Sequence, residues 1–476
     1  MLQRTKTTAT ALALVVRIPA DFRPCPALRS SRRFGRATSH VIPSVIPGLA
    51  FLLSSTLCLP AAAQTVPQAP STESAPTEVL SSGAPIEEIR PGELLQDRFN
   101  RRTTIPGTRI GPVLFQPSAV ADLGFNDNVF AQNTGVKSDF FADYGGRLEG
   151  DYQTGTLRAH LSLNGQERHY FSLTNEDYWQ AGARLSLSDQ LASEFGTFFQ
   201  GGVQRLAVPR TDPNDINGFK PATYLLYDAE SGIAIGNGAH DLVTITAGFN
   251  QTVFDQAFGS QGQIITNDRD RQEIFGDIRY DHVFFGQQKV FAEIRPDGRD
   301  FGRDIDSAGF RRASNGVRAD TGVVFDIDNL FLLSISGGYQ TQDYADPRYG
   351  RITEPDATVD LLWSPSGLTQ VDIKYVHEYF EDLFIESPGY VHDTTTLTVS
   401  HELRRNLLLK ADVSYDARDL QRSVRHYDII TTEGRADYSI IDGLTVGVDY
   451  TFQNLTSNTT RTFDDNILML TLKKQF

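Results

Sequence analysis

The sequence predicts an all-β protein, a transmembrane antiparallel up-and-down β-barrel of about 18 strands, with 16 strands as the alternative. Three observations predict this fold. Strands of about 13 residues alternate apolar and polar side chains. Their connections alternate between short turns and long polar loops. No run of 18 or more apolar residues lies beyond Pro60, so we expect strands rather than helices to cross the membrane.

The stretch from Asp139 to Arg168 shows the alternation most clearly. Every second residue from Phe140 to Tyr152 is apolar or small, and charged residues predominate on the other face. After a turn at Thr154-Gly155, the same pattern resumes from Leu157 to Leu163. Strands of a soluble sandwich are shorter, about 5–6 residues. Long strands with two unlike faces are typical of a wall between lipid and a water-filled lumen.

The N-terminus has the pattern of an export leader over residues 1–63. An apolar segment from Val41 to Pro60 precedes the small residues Ala61-Ala62-Ala63. The basic residues before the apolar segment are Arg29, Arg32, Arg33 and Arg36. We expect Sec export and cleavage after Ala63. The residues before Arg29 make the leader unusually long, or place the start codon too far upstream.

Two other leaders fit the sequence less well. Arg32-Arg33 resembles a twin-arginine signal, but that route carries folded cargo and a barrel must arrive unfolded. Cys58 resembles a lipoprotein site, but Leu57 before it is too large for the usual recognition sequence.

Both cysteines, Cys25 and Cys58, lie within the leader, so the mature chain has no disulfide and no thiol chemistry. Removal of residues 1–63 takes away eight basic residues and one acid, which changes the net charge from −15 to −22. This charge argues against nucleic acid as a partner. It suits a surface that faces water and divalent cations.

Residues 64–109 are predicted to form a mostly disordered periplasmic segment. Six prolines lie between Pro67 and Pro106, among Ser, Thr and Glu, with little apolar periodicity. Glu93 to Phe99 has the pattern for one or two helical turns. The segment is too short for the folded plug of a siderophore-type transporter. Residues 110–476 are predicted to form the barrel.

Connections of two lengths alternate along the barrel segment. The short turns contain Gly, Asn, Asp or Pro, as in hairpins, and lie at Thr154-Gly155, Ser188–Gln190, Gly236–Ala239, Gly286-Gln287, Asp326–Asn329, Ser364–Gly367, Arg404–Asn406 and Ile441–Gly443. The long loops are polar, and lie at Asp127–Lys137, Phe171–Asp177, Ala207–Pro221, Asp255–Asp268, Phe301–Arg311, Tyr344–Arg351, Asp382–Val391, Leu420–Val424 and Ser457–Arg461. Eight turns and nine loops predict an even strand number, periplasmic turns and extracellular loops.

One face of each strand is predicted to line the lumen. The candidate pore-lining residues are Arg147, Glu149, Arg158, His160, Arg184, Glu273, Asp277, Arg279, Asp281, Glu293, Arg295, Arg318, Asp320, Asp372, Lys374, Lys410, Asp412, Glu433, Arg435 and Asp437. Mixed pairs such as Arg279 with Asp281 create a transverse field in the bore. Both signs are present, so the sequence leaves ion selectivity open. The Ala207–Pro221 and Asp255–Asp268 loops are the best candidates to fold inward.

The last strand carries a candidate assembly signal. Leu468, Leu470, Leu472 and the terminal Phe476 share one face. An amphipathic final strand with a terminal aromatic residue resembles the signal that the barrel assembly machinery recognises. Lys474 departs from this pattern, because an aliphatic or aromatic residue is usual there.

The opening strands resemble a bacterial family called putative beta-barrel porin 2. The resemblance is carried by Pro117–Val120, by the Gly124–Phe130 stretch with Asn126-Asp127-Asn128 at its centre, and by Lys137–Phe141. It extends over most of residues 105–476. It implies an outer-membrane barrel and supplies no catalytic residues. Some relatives occur in surface-polysaccharide settings, so it also implies export as an alternative.

Signals for chemistry are weak. The sequence has no G-x-S-x-G, H-E-x-x-H or P-loop motif. The histidines of the mature chain are scattered over different strands, and His160 is expected in a polar network of the lumen rather than as a general base. His377-Glu378 with Glu381-Asp382 could ligate a metal, but solvation at the rim is the simpler interpretation. We expect no enzyme activity, no metal and no cofactor.

These patterns predict a passive outer-membrane channel of a Gram-negative bacterium for small hydrophilic solutes. Its expected partners are outer-membrane lipid and lipopolysaccharide, the barrel assembly machinery and the solutes, and not nucleic acid. The alternatives are a component of surface-polysaccharide export, a structural barrel without an open pore, and an enzyme at the rim. The sequence leaves the oligomeric state open.

Overall fold

The computed structural model describes residues 94–327, 330–381, 387–459 and 461–476. The predicted leader and the first part of the proline-rich segment lie outside these residues. One helix, α1 (Leu95–Thr103), precedes the strands. The strands are β1 (Thr108–Ile110), β2 (Val113–Asn126), β3 (Asp139–Thr154), β4 (Leu157–Tyr170), β5 (Tyr178–Ala192), β6 (Phe195–Ala207), β7 (Thr223–Asn237), β8 (Asp241–Phe254), β9 (Ala257–Gly259), β10 (Gly262–Ile264), β11 (Arg271–Phe285), β12 (Gln288–Phe301), β13 (Ser314–Ile327), β14 (Phe331–Tyr344), β15 (Arg351–Ser366), β16 (Thr369–Glu381), β17 (Gly389–Arg404), β18 (Leu407–Leu420), β19 (His426–Ile441), β20 (Leu444–Ser457) and β21 (Phe463–Gln475).

The eighteen long strands, β2–β8 and β11–β21, form one closed antiparallel sheet. Each long strand pairs with its neighbours in sequence, and β21 returns to pair with β2 from Ser118↔Gln475 to Asn126↔Ile467. The predicted barrel and the count of eighteen are therefore confirmed, and sixteen is excluded. Strands of 13–16 residues rise about 3.3 Å per residue, enough to cross a membrane when tilted. No helix among the described residues is long and apolar enough to span a membrane.

Side chains alternate between the two faces of the wall as the sequence predicts. On β3, Phe140 and Tyr144 are exposed on the outside, whereas Phe141 and Asp143 between them are buried on the inside. On β18, Val413 and Tyr415 are outside. A period of two residues fixes this arrangement, because a slip of one residue would turn charged groups toward lipid.

Several turns lie a few residues from their predicted positions. The turn predicted at Ser188–Gln190 belongs to β5, which continues to Ala192, and the chain reverses at residues 193–194. A register irregularity between Gln190 and Ala192 marks the end of this hairpin. Polar residues at the end of a membrane strand face water, so composition alone does not separate them from the turn.

The long connection between β8 and β11 contains structure that the sequence did not predict. Within it, β9 and β10 form a small separate hairpin. At the other end of the barrel, β1 pairs with the start of β2, from Thr108↔Phe115 to Ile110↔Val113. Helix α1 therefore reaches the barrel through a tight hairpin rather than through a free linker.

Candidate functional site

The candidate site is the inner face of the barrel wall. Strand registers place all twenty predicted pore-lining residues on this face, where Glu273, Asp277, Arg279 and Asp281 follow one another on β11. Many of these side chains are partly exposed, and they point away from the lipid face of the strand. Water therefore reaches them from inside the barrel.

Ion pairs order the inner wall. Arg279 contacts Asp281 at 3.0 Å on its own strand and Glu293 at 2.9 Å on β12. On β3, Arg147 lies 3.5 Å from Glu149. Such partly exposed pairs add little stability, but they fix the positions of charges along the lumen.

Arg318 contacts three carboxylates of the inner wall. It contacts Asp320 at 2.6 Å, Asp356 at 3.0 Å and Glu378 at 3.5 Å, so one guanidinium links β13, β15 and β16. The planar guanidinium has five donors and suits several carboxylates at once. Arg318 and Asp320, both predicted to line the pore, are thus part of a larger network.

His160 points into the lumen, as the alternation predicts. Its ring nitrogens lie 2.8 Å from Glu149 and 2.8 Å from Asp151 on the neighbouring strand. A histidine held between two carboxylates forms part of an ion network. This arrangement favours the structural interpretation over a general base.

A repeated unit of Gly, Phe and Arg shapes the wall. In each unit, a Phe lies directly opposite an inward-facing Gly on the next strand and covers it, and an Arg guanidinium stacks on the Phe ring at 3.8–4.1 Å. Glycine leaves the space that the flattened ring needs, and the ring holds the cation in place. The three units are Gly124–Phe141–Arg168, Gly248–Phe275–Arg295 and Gly322–Phe291–Arg279. No sequence pattern marks these units, because each depends on the cross-strand register.

At the long-loop end, the loop between β6 and β7 folds into the barrel, as its length predicts. Residues 210–215 are buried, which is unusual for a connection between strands. Arg210 contacts Glu176 at 2.8 Å and Asp215 at 3.2 Å. From the loop before β11, Arg269 donates to the carbonyl oxygen of Asn214 at 2.7 Å. This loop is therefore fixed to two other connections.

Burial and neighbouring charges have opposite effects on the pKa values of Asp215 and Arg210 in the loop between β6 and β7. Burial raises the pKa of Asp215, although Arg210 and Arg461 favour its charged form. Burial alone would lower the pKa of Arg210, but hydrogen bonds and attraction from Glu176 and Asp215 raise it. The Arg210 cation is therefore firmly held, and Asp215 is the weaker member of the pair.

At the short-turn end, helix α1 lies against the inner wall. Phe99 is 1% exposed and packs with Leu95 of α1 against the inward-facing Leu408. Leu94 packs against an apolar cluster of Phe291, Val324, Leu332 and Leu362 on the inner faces of β12–β15. The helix thus covers apolar surface that would otherwise face water inside the barrel.

Polar contacts fix the same helix. Arg98 and Arg102 contact Glu402 of β17 at 2.8 Å and 2.6 Å. The backbone N–H of Leu95 donates to Gln370 at 3.2 Å. For residues 94–110, where the sequence predicts mostly disorder up to residue 109, the structure instead has a docked helix and a hairpin. The one or two helical turns predicted from Glu93 to Phe99 overlap only the first part of α1, Leu95–Thr103.

The comparisons with known proteins agree with this architecture. The model of the family putative beta-barrel porin 2 matches residues 105–476. The chain belongs to this family. The resemblance that the Gly124–Phe130 stretch carries is therefore confirmed. No curated protein matches the chain.

Several solved structures are similar to the barrel at low identity. OpdK of Pseudomonas aeruginosa, solved with vanillate, is 10% identical, with 76% of this chain and 99% of that chain covered and a TM-score of 0.42. OpdQ of the same organism is 10% identical, with coverages of 77% and 99% and a TM-score of 0.43. OccAB4 of Acinetobacter baumannii is 10% identical, with coverages of 76% and 98% and a TM-score of 0.43. These likenesses assign no solute to this chain.

The protein is thus an outer-membrane β-barrel of a Gram-negative bacterium, of the porin class, and lipid with lipopolysaccharide surrounds it. Its outer face fits this environment, because exposed aromatic side chains form two girdles. The girdle toward the extracellular loops contains Tyr144, Trp179, Tyr339 and Tyr415. The girdle toward the periplasmic turns contains Phe199, Tyr280, Phe325, Trp363 and Tyr438. Leu468, Leu470, Leu472 and Phe476 also lie exposed on this outer side.

The candidate metal ligands near the rim separate in the structure. His377 bonds to Asp393 at 2.7 Å, and Glu378 lies near Arg318. Glu381 lies 3.7 Å from both Arg271 and Arg299, and Asp382 is outside the described residues. In the described parts of the chain, no cluster of three or more His, Cys, Asp or Glu could hold a metal ion.

Proposed function

We propose that the protein is a passive channel that admits small hydrophilic solutes across the outer membrane. One observation carries this proposal. Charged side chains on the inner wall keep surface that water reaches, with 24% exposure for Arg279, 26% for Glu293 and 31% for Lys410. Side chains that filled the bore completely would bury these groups, so an aqueous path lies beside them.

Two elements narrow this path. The loop of residues 208–222 enters from the extracellular side, and helix α1 lies inside the periplasmic mouth. We propose that these two elements set the upper size of the solutes that pass through the channel. Both are held by ion pairs, so both are expected to stay in place during passive diffusion.

The test is single-channel recording. The protein is purified from the outer membranes of an expressing host and inserted in a planar bilayer, with and without residues 64–105. Stable current steps from the full mature chain support the channel, and current only after truncation makes the N-terminal segment a plug. Silence from both forms, each with the heat-dependent gel mobility of a folded barrel, would sink the proposal.

The channel needs no cofactor and no chemical step. Histidines of the described wall contact carboxylates or a hydroxyl, as His160, His282 and His401 do. A screen against lipid and peptide substrates tests this assignment. Turnover that one His→Ala change abolishes would overturn it.

We assign residues 1–63 as a leader that is removed after Ala63, and the last strand as the signal for the barrel assembly machinery. The exposed row of Leu468, Leu470, Leu472 and Phe476 supports the second assignment, since an outward row is accessible to another protein before the barrel closes. Deletion of Phe476 is expected to lower the assembled fraction. N-terminal sequencing of the mature protein tests the cleavage site.

A further inference from the structure

Six carboxylates lie close together on the inner wall of β15–β20, in the periplasmic half of the barrel. We call this set the acidic arc: Asp360, Asp372, Asp412, Glu433, Asp437 and Asp449. Strand registers make it continuous, because Thr398 pairs with Asp372 on one side and Asp412 on the other, and Asp412 pairs with Glu433. The basic side chains among them are Lys374, Lys410 and Arg435. The arc therefore carries twice as many acids as bases.

Elsewhere the inner wall is more nearly balanced. Arg168 contacts Asp143 at 2.6 Å, and Arg184 contacts Asp228 at 2.7 Å. Such direct pairs cancel much of each other's field at a distance. Within the described residues the arc has two such pairs, Lys410 with Asp412 at 3.1 Å and Arg435 with Asp437 at 2.8 Å. Its excess negative charge therefore lies on Asp360, Asp372, Glu433 and Asp449.

Asp360 is a buried carboxylate of the arc. Its side chain points inward from β15, the residue is only 8% exposed, and it forms no hydrogen bond or ion pair within the described residues. Its charged neighbours are Lys374, which pairs with it in the strand register, and the half-buried Asp372, which accepts no hydrogen bond within the described residues. A buried carboxylate without a donor is costly. A cation from outside the chain, placed beside Asp360 and the half-buried Asp372, would offset this cost.

The surroundings define which cation fits. The inner faces of β17 and β18 carry three hydroxyl groups among the carboxylates of the acidic arc. They belong to Thr396, Thr398 and Ser414. An ammonium group has three donors, which carboxylate and hydroxyl oxygens can accept together. Five strand spacings of about 4.8 Å make the arc roughly 24 Å long, so one extended solute could contact several carboxylates.

Helix α1 bounds the arc on its periplasmic side. Leu95 donates to Gln370, and Gln370 is two residues from Asp372 on the same face of β16. The two basic residues of α1 that face the wall, Arg98 and Arg102, are bound to Glu402. The helix therefore narrows the passage beside the arc, and its two wall-facing arginines are directed to Glu402 rather than to the arc.

We infer that the acidic arc binds the protonated amines of linear polyamines, at a subsite centred on Asp360 and Asp372. The inference rests on the proposed channel function only for the role of the acidic arc in transport. The binding itself is independent of conduction. Anionic solutes of similar size are expected to be excluded from the same wall.

Two measurements with one set of variants test this inference. The probe is spermine, titrated calorimetrically into the detergent-solubilised full mature chain and added as a blocker in the planar bilayer. Asp360→Asn with Asp372→Asn is expected to weaken spermine binding about tenfold or more, because two charge-assisted hydrogen bonds are lost. The same double variant should shift the reversal potential in a KCl gradient toward that of a non-selective pore.

A matched control separates this site from general surface charge. Asp304→Asn with Asp464→Asn removes the same charge at extracellular positions, and is expected to leave spermine affinity unchanged. Equal spermine affinity of the wild type and the Asp360/Asp372 variant would overturn the inference. Silence in the bilayer with retained, arc-dependent spermine binding would refute the channel instead. Heat-dependent gel mobility establishes that each variant is folded.

Discussion

The guanidinium of Arg461 donates a 2.6 Å hydrogen bond to the backbone carbonyl oxygen of Arg210. Arg461 belongs to the connection before β21, and Arg210 belongs to the loop after β6. On the shorter way round the barrel, the strands between them are β6, β5, β4, β3, β2 and β21. The contact therefore spans a chord of the extracellular mouth rather than joining neighbours. A second hydrogen bond from Arg461 to Pro213, at 3.3 Å, strengthens it.

Arg461→Gln is expected to release the loop of residues 208–222 from its inward position. Hydrogen bonds from charged groups contribute about 1.5–3 kcal/mol each, so the loop should open measurably more often. Single-channel recording should show larger and noisier current steps. Arg311→Gln serves as the control, since this half-exposed arginine contacts Asp304 only at 4.0 Å. Identical current from the two variants would contradict the constriction.

Glu402→Gln is expected to loosen helix α1. Glu402 contacts both Arg98 and Arg102 on the inner wall, and loss of its charge weakens both contacts. We expect trypsin to cleave after Arg101 or Arg102 about tenfold faster, since local opening that becomes about 1.4 kcal/mol easier has this effect. Asp442→Asn in an exposed periplasmic turn is the control for the charge change. Equal cleavage rates in the two variants would show that the apolar contacts of Leu95 and Phe99 suffice.

The barrel could be predicted from sequence because its determinants are local. A period of two residues appears within any single strand, as it does between Asp139 and Thr154. Each turn or loop likewise involves only two strands that are neighbours in sequence. Partners across the lumen are not local. Arg461 lies more than two hundred residues from Arg210 in the sequence. Which side chains surround Asp360 follows only from the register of β14, β15 and β16. The docking of α1 was missed because Leu95 and Phe99 make only one apolar turn among polar residues.

Asp346 gives the extracellular loops a pH-dependent contact. Hydrogen bonds from the Arg348 guanidinium and from the backbone N–H groups of Arg348 and Arg311 hold the pKa of this carboxyl well below its usual range, against the effect of burial. A lowered pKa in the folded state stabilises the protein above the unfolded-state value of about 3.9. This stabilisation is lost as the pH falls through the folded-state pKa.

Asp346→Asn should therefore lower the melting temperature at pH 7. The difference from the wild type should stay constant down to about pH 5 and shrink below about pH 4. Circular dichroism melts in detergent at a series of pH values measure it. Asp343→Asn, which removes a solvent-exposed pair with Arg351, is the control, with a smaller expected effect. A difference that grows on acidification would contradict the assigned sign.

Leu163 and Ser162 are adjacent on β4 and face opposite sides of the wall. Leu163 is exposed on the outer face near the middle of the strand, whereas Ser162 donates to Glu149 inside the barrel at 3.2 Å. Leu163→Arg is expected to destabilise the barrel by about 2–4 kcal/mol, because it places a charge among lipid chains. Ser162→Arg places the same charge beside a lumen carboxylate and should cost much less. Unfolding from lipid vesicles in urea compares them, and equal destabilisation would refute the assignment of faces.

Gly124→Ala tests the unit of Gly, Phe and Arg. A Cβ atom at this position would lie 2.2 Å from the ring of Phe141, so the ring must move away from the wall. Phe141 is fully buried against Tyr170 and carries Arg168 at 4.0 Å, and its displacement disturbs both neighbours. Overpacking of this kind costs about 1–3 kcal/mol.

The same substitution at Gly434 is a matched control. This glycine also lies within a barrel strand, but nothing lies within 4 Å of its added Cβ. We expect Gly434→Ala to be neutral or slightly stabilising, since alanine restricts the unfolded chain. Urea unfolding of the two variants should therefore separate by roughly the overpacking cost. Equal stabilities would mean that the Phe141 ring moves freely, and that the flattened ring does not fix the position of Arg168 on the inner wall.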